Sequence, residues 1–187
     1  MRLGVYVGTF DPPHKGHIKV INHLINNNYL DKIIVIPTGV YWDKTNITDI
    51  KYRKDMLKIF ENESIIIDNK LNNIPNTYLV LRELHKKYDD LYLIIGADNI
   101  INFDKWKEYH EIIDNNHIIV IPRDNVNISK YLNKYNKEKF IIVKDFNCID
   151  INSTYIRELI RNKDYLELNK YLNKEVINYI KENDLYK

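Results

Sequence analysis

The 187-residue chain has one alanine, no glutamine and a single cysteine, Cys148. A lone cysteine excludes an intramolecular disulfide and argues against a cysteine-based zinc site. No apolar run approaches the roughly 18 residues that a bilayer span needs. Residues 1–7 read as a strand and not as a secretory signal, because the apolar stretch is short and no small-residue cleavage site follows it. The expectation is a cytoplasmic protein without a membrane partner. A dominant charge is also missing: 28 Lys and Arg face 26 Asp and Glu, a net charge of +2. That balance argues against a nucleic-acid coat and leaves room for a local basic pocket.

What is present is 44% hydrophobic and 29% charged, so the chain is not disordered. Its length suits one domain over residues 1–187. Asparagine (25), isoleucine (31) and lysine (22) are abundant while arginine numbers only six, a skew typical of an AT-rich coding sequence. Those common residues therefore carry little positional information, and the rare ones carry more. With five glycines in the chain, each is a candidate for a special backbone position.

Nearly continuous Ile/Val/Leu/Tyr runs predict strands at 3–7, 32–36, 64–67, 91–95, 117–121 and 140–143. Such runs mark strands covered on both faces. Helical patterns fall between them at 16–28, 50–60, 78–88, 109–113 and 129–134, and after them at 153–162, 164–171 and 174–183. The alternation predicts an α/β fold with a doubly wound parallel sheet, followed by C-terminal helices. In such sheets ligands sit beyond the carboxyl ends of the strands, where the strand order reverses.

The segment after the first strand reads Gly8-Thr9-Phe10-Asp11-Pro12-Pro13-His14-Lys15-Gly16-His17. Gly8 allows a base or phosphate to approach the backbone, and the prolines stiffen the turn. His14 and His17, three apart at a helix start, share one face, which Gly16 keeps open. Two imidazoles above the free N–H groups of a helix N-terminus suit phosphate oxygens. A zinc site is the weaker reading, with Asp11 as the only evident third ligand. The other reading is a proline-rich turn with two surface histidines.

G-x-F-D-P-x-H-x-G-H resembles the signature of the nucleotidyltransferase superfamily with the H-x-G-H motif. Its members transfer a nucleotidyl group from a nucleoside triphosphate and release pyrophosphate. Near the other end, Ile151-Asn152-Ser153-Thr154-Tyr155-Ile156-Arg157 puts two of the nine Ser and Thr residues side by side. Ser153 or Thr154 is expected to cap the next helix, with Arg157 one turn further on. This stretch is similar to the superfamily's I-S-S-T-x-I-R motif, which grips ATP phosphates, with Asn152 in place of the first serine. The Leu93-Ile94-Ile95-Gly96-Ala97-Asp98 run, followed by Phe103, Trp106 and Tyr109, resembles one branch, the bacterial nicotinate-nucleotide adenylyltransferases. So do Pro122-Arg123 and the closing Asp184-Leu185-Tyr186.

The resemblance implies a Rossmann-like adenylyltransferase that moves AMP from ATP to nicotinate mononucleotide, with Mg²⁺ held mainly by ATP phosphates. It implies His14 and His17 as the catalytic pair. ATP would be bound by these two with Gly8, Thr9, Phe10, Lys44, Gly96, Asp98, Ser153, Thr154 and Arg157. The mononucleotide would be bound by Asp11, Thr77, Trp106, Lys107 and Arg123. Departures fall at Tyr41-Trp42-Asp43, where the family has Pro-Pro-His before Lys44, and at Pro75-Asn76 before Thr77. Nicotinamide mononucleotide or another phosphorylated acceptor is therefore an alternative, and a non-catalytic nucleotide sensor is another. Arg53 is read equally as a loop support or a phosphate ligand. Homo-oligomer formation stays open.

Overall fold

The computed structural model describes residues 1–39, 47–123, 126–149 and 151–187. Its centre is one sheet of six strands: β1 (Leu3–Gly8), β2 (Lys32–Pro37), β3 (Ile65–Ile67), β4 (Leu91–Gly96), β5 (His117–Ile121) and β6 (Phe140–Ile142). Their order is β3-β2-β1-β4-β5-β6, and every pairing is parallel. All predicted strands are present, with ends shifted by at most one residue. The order reverses between β1 and β4, so their carboxyl ends at Gly8 and Gly96 flank the crevice where a ligand is expected.

The helices are α1 (Lys15–Asn26), α2 (Ile50–Lys58), α3 (Thr77–His85), α4 (Ala97–Ile100), α5 (Tyr109–Asn115), α6 (Ile128–Leu132), α7 (Ser153–Arg161), α8 (Tyr165–Tyr171) and α9 (Lys174–Glu182). The continuous apolar runs of the strands serve two cores at once. Ile34, Ile36, Leu93, Ile95, Ile118 and Val120 pack with Val80, Leu81 and Leu84 of α3 and Ile112 and Ile113 of α5. Their chain neighbours Ile33, Val35, Ile94, Ile119 and Ile121 point the other way, onto Val20, Ile21 and Leu24 of α1 and Leu57 of α2. That alternation between two covered faces is why the runs lack a polar stripe.

A third cluster joins α7, α8 and α9 to the sheet layer through Met56 of α2 and Ile151. Ile156 and Ile160 of α7, Leu168 of α8 and Val176 and Ile180 of α9 are buried there. It sets the second sequence motif beside the first.

The glycines do not do what their rarity suggested. None of the described glycines has a positive φ; Phe10, Asn28, Glu108, Lys163, Asp184 and Tyr186 hold the left-handed positions instead. Gly4 is set by packing: a Cβ there would stand 2.5 Å from Leu30 Cδ1 and 3.0 Å from Ile33 Cγ1, so buried side chains would have to shift to admit it. Helix α4 and the short 3₁₀ turns Leu71–Asn73, Phe103–Lys105 and Lys137–Lys139 had no sequence signal. Each is too short to show a periodicity.

Candidate active site

A cleft of about 660 Å³ lies over the carboxyl ends of β1 and β4. Gly8, Thr9 and Phe10 form its floor as the chain leaves β1. Phe10 adopts φ 51°, and its side chain is buried, with its ring edge-on to His17 at 4.9 Å between centroids. A Cβ on Gly8 would sit 3.0 Å from that ring, so only glycine fits comfortably under it.

His14 caps α1 with an extended backbone (φ −134°, ψ 168°), and His17 stands on the first turn. The rings stack, with centroids 3.7 Å apart and planes 24° from parallel. His17 Nδ1 accepts the backbone N–H of His14 at 3.2 Å. An accepting Nδ1 carries no proton, so the neutral ring keeps its proton on Nε2. Burial, and then the nearby Arg123 guanidinium, hold His14 down to about 3. Burial, followed by His14 and Arg123, holds His17 well below the ordinary histidine range. Both rings therefore act as neutral N–H donors.

The second motif lines the same cleft. Asn152, not Ser153 or Thr154, caps α7: its side chain accepts the N–H of Tyr155 at 2.9 Å. The reason is local. Asn152 is extended (φ −135°, ψ 157°) while Ser153 is already helical, so Asn152 occupies the position from which a side chain reaches the open N–H groups. Ser153 is thereby released, and its Oγ donates to the Pro12 carbonyl at 3.1 Å. Arg157 Nη1 donates to the Asp11 carbonyl at 2.7 Å, and its Nη2 to Thr154 Oγ1 at 3.1 Å. Two motifs some 140 residues apart are thus hydrogen-bonded to one another across the cleft floor.

Across from them Gly96, Asp98, Trp106 and Arg123 complete the wall. Gly96 ends β4, and Asp98 is exposed in the first turn of α4. Trp106 is half-buried against Phe103 (centroids 5.1 Å) and presents the rest of its surface to the cleft. Arg123 Nη2 donates to the Ile151 carbonyl at 3.0 Å, a tie between β5 and the second motif.

Other expectations fare differently. Lys44 lies outside the described residues, as do Tyr41, Trp42 and Asp43. Thr77, in the first turn of α3, and Lys107, whose Nζ sits 5.9 Å from the Tyr78 ring, do not line the cleft. Asp11 lines it, but its carboxylate is taken up within the protein: Oδ1 accepts from Tyr186 Oη at 2.7 Å and Oδ2 from Thr48 N at 3.2 Å. Arg53 is fully buried and donates to the carbonyls of Thr48, Thr9 and Thr38 at 2.7–2.8 Å, which makes it a loop support. Tyr6, Asn99, Cys148 and Ile149 also line the cleft and carried no sequence signal of a site role. Among the described residues no three His, Cys, Asp or Glu side chains form a group that could hold a metal ion.

A family model described as cytidylyltransferase-like matches residues 5–159. An Acholeplasma laidlawii protein named "Probable nicotinate-nucleotide adenylyltransferase" is 36% identical over 193 residues, covering 97% of this chain and 96% of the relative. A Clostridium novyi protein of the same name is 33% identical over 179 residues, covering 87% and 88%. Among solved structures, Plasmodium falciparum nicotinic acid mononucleotide adenylyltransferase complexed with NaAD superposes with a TM-score of 0.81. The two share 23% identity, over 99% of this chain and 97% of that one. At that identity the likeness is one of fold. No described helix is long and apolar enough to cross a membrane.

Proposed function

Since the chain belongs to the cytidylyltransferase-like family and, within it, to the nicotinate-nucleotide adenylyltransferases, we propose that this one cleft carries the whole reaction. The enzyme transfers AMP from ATP to nicotinate mononucleotide. A 5′-phosphate oxygen of the mononucleotide attacks the α-phosphorus of ATP. The bond from that phosphorus to the α–β bridging oxygen breaks, and pyrophosphate leaves with the bond's electron pair. The products are nicotinate adenine dinucleotide and pyrophosphate.

No side chain acts as a nucleophile, so the work is positioning and charge stabilisation. The N–H groups of neutral His14 and His17 meet the α- and β-phosphate oxygens, whose charge shifts as the bond breaks. Arg157, Thr154 and the backbone N–H of Ser153 at the start of α7 receive the β/γ end, which becomes pyrophosphate, and Lys44, outside the described residues, is assigned to the same end by its sequence motif alone. Gly8, Thr9 and Phe10 carry the nucleotide across β1, while Gly96 leaves room for it and Asp98 accepts from its ribose. Trp106 stacks on the pyridine ring, and Arg123 faces the mononucleotide phosphate.

The residues fit a metal that arrives with its substrate, since Asp11 is already engaged at both carboxylate oxygens. Mg²⁺ arriving with ATP would supply neutralisation of the phosphate charge. The observation that carries the assignment of roles is the contact of the two phosphate motifs through Arg157 and Asp11.

The test is pyrophosphate release from ATP with nicotinate mononucleotide and, in parallel, nicotinamide mononucleotide, with and without Mg²⁺. Turnover with the nicotinate substrate is expected. ATP binding without pyrophosphate release would leave a nucleotide sensor, and a marked preference for the amide would overturn the acceptor.

A further inference from the structure

Asp11 stands at the hinge of the first motif, between left-handed Phe10 and the prolines that lead to His14, and is only 3% exposed. Three parts of the chain converge on it. Thr48 N, before α2, donates to Oδ2 at 3.2 Å, Arg157 of α7 donates to the main-chain carbonyl at 2.7 Å, and Tyr186 Oη donates to Oδ1 at 2.7 Å.

The third of these comes from far away and is held at a conformational cost. Tyr186 lies beyond α9, 175 positions from Asp11, with φ 65°; Asp184 before it has φ 54°. Left-handed backbone is uncommon for a bulky residue and persists where surrounding contacts over-determine it. Leu185, between the two, is buried in the cluster formed by α7, α8 and α9. That anchors the turn and sends the tyrosine ring back towards the cleft. Burial and the adjacent carboxylate raise the phenol above its ordinary range, so it remains a donor at neutral pH.

We propose that Tyr186 is a positioning residue for adenylyl transfer: through its hydrogen bond to Asp11, it fixes the hinge that presents His14 and His17 to the α-phosphate. The inference rests on the adenylyl-transfer reading above. Phosphoryl transfer by preorganised donors tolerates little misplacement, and a shift of about 1 Å costs on the order of 10²-fold in rate. Loss of one of three ties is a smaller perturbation, since Arg157 and Thr48 still hold Asp11.

The test compares wild type, Tyr186→Phe, Asp11→Ala and the double variant. Turnover is normalised to ATP-binding sites counted by calorimetric titration, so that unfolded protein does not contribute. The expected result for Tyr186→Phe is a kcat about tenfold lower per binding site, with KM for both substrates within about twofold of wild type. In the Asp11→Ala background, which lacks both carboxylate oxygens, the same substitution adds no further loss. Wild-type kcat per site in Tyr186→Phe overturns the proposal, as does an undiminished further loss in the Asp11→Ala background. Should Asp11→Ala not fold, the normalised kcat of Tyr186→Phe decides alone. Wild type that binds ATP yet releases no pyrophosphate with either mononucleotide overturns the underlying reaction, and is told apart by that control.

Discussion

His17 Nδ1 accepts the backbone N–H of His14, so one residue of the stacked pair orients the other through the main chain. The arrangement spends the Nδ1 lone pair inside the protein and leaves Nε2–H as the group a phosphate can meet. The two ring nitrogens thus have separable roles, and amide side chains separate them. His17→Asn keeps an acceptor near the Nδ1 position and loses the Nε2 donor. His17→Gln places an amide donor near the Nε2 position. Steady-state kinetics are expected to show kcat about 10²–10³-fold lower for His17→Asn, and a smaller loss for His17→Gln. An Asn variant more active than the Gln variant would reverse the assignment.

The same pair sets a pH dependence of stability. An unfolded histidine takes up its proton near pH 6.5, whereas folded His14 does so only near 3, because burial and then Arg123 disfavour its charged form. Below 6.5 the unfolded state therefore binds a proton that the folded state refuses. The contribution is fully present above that pH and is lost as pH falls towards 3. His14 alone adds a slope of about 1.4 kcal/mol per pH unit across the window, and His17 adds to it in the same direction. Urea denaturation of wild type and His14→Gln between pH 7.5 and 4.5 checks this. The variant should lose stability less steeply on acidification, and parallel curves would mean that His14 titrates normally.

Arg53 is fully buried, and its Nε and Nη1 together meet carbonyls from three segments: Thr9 after β1, Thr38 after β2 and Thr48 before α2. A guanidinium is needed because it alone offers donors in a planar fork wide enough for all three. Arg53→Met keeps much of the volume but leaves three half-buried acceptors without their charged donor. A loss of about 3 kcal/mol or more is expected, read from the denaturant midpoint. Arg53→Lys should recover only part of it. A fully stable Met variant would show that the three loops hold together without the arginine.

Arg53 also marks where sequence reading ran out. The strands were legible because residues such as Ile33 and Ile34 are each buried on opposite faces, which leaves an unbroken apolar run. The first motif was legible because proline, glycine and histidine are scarce in this chain. What a single side chain touches was not. Arg53 read equally as support or ligand, since helical spacing gives the face and not the partner. Asp11 read as a ligand because its motif is catalytic, whereas its partners, Thr48 and Tyr186, come from distant segments. The expected cap, Ser153 or Thr154, stands one or two positions after the actual one, because Asn, Ser and Thr all cap well and stand together at 152–154. Glycine scarcity misled as well: left-handed positions went to Phe10 and Tyr186, which tertiary contacts hold there.

Gly16 sets two opposed effects against each other. In a helix, replacing glycine by alanine usually stabilises by about 0.5–1 kcal/mol, through backbone entropy. Here the added Cβ would stand 2.9 Å from His14 Nδ1, 3.0 Å from His14 Cε1 and 3.1 Å from Ile151 Cγ2. Ile151 is buried and opens the second motif, so it has little room to yield; the His14 ring must move instead. That movement breaks the stack on His17 while sparing the sheet and both large cores. Gly16→Ala is therefore expected to unfold within about 1 kcal/mol of wild type, the propensity gain offsetting the clash. Its kcat should fall by at least about tenfold, because an imidazole displaced by several tenths of an ångström no longer donates along the same line. The comparison needs a denaturation curve and a pyrophosphate-release rate on the same preparation. Unimpaired turnover with unchanged stability would show that His14 tolerates displacement, and would remove it from the catalytic pair.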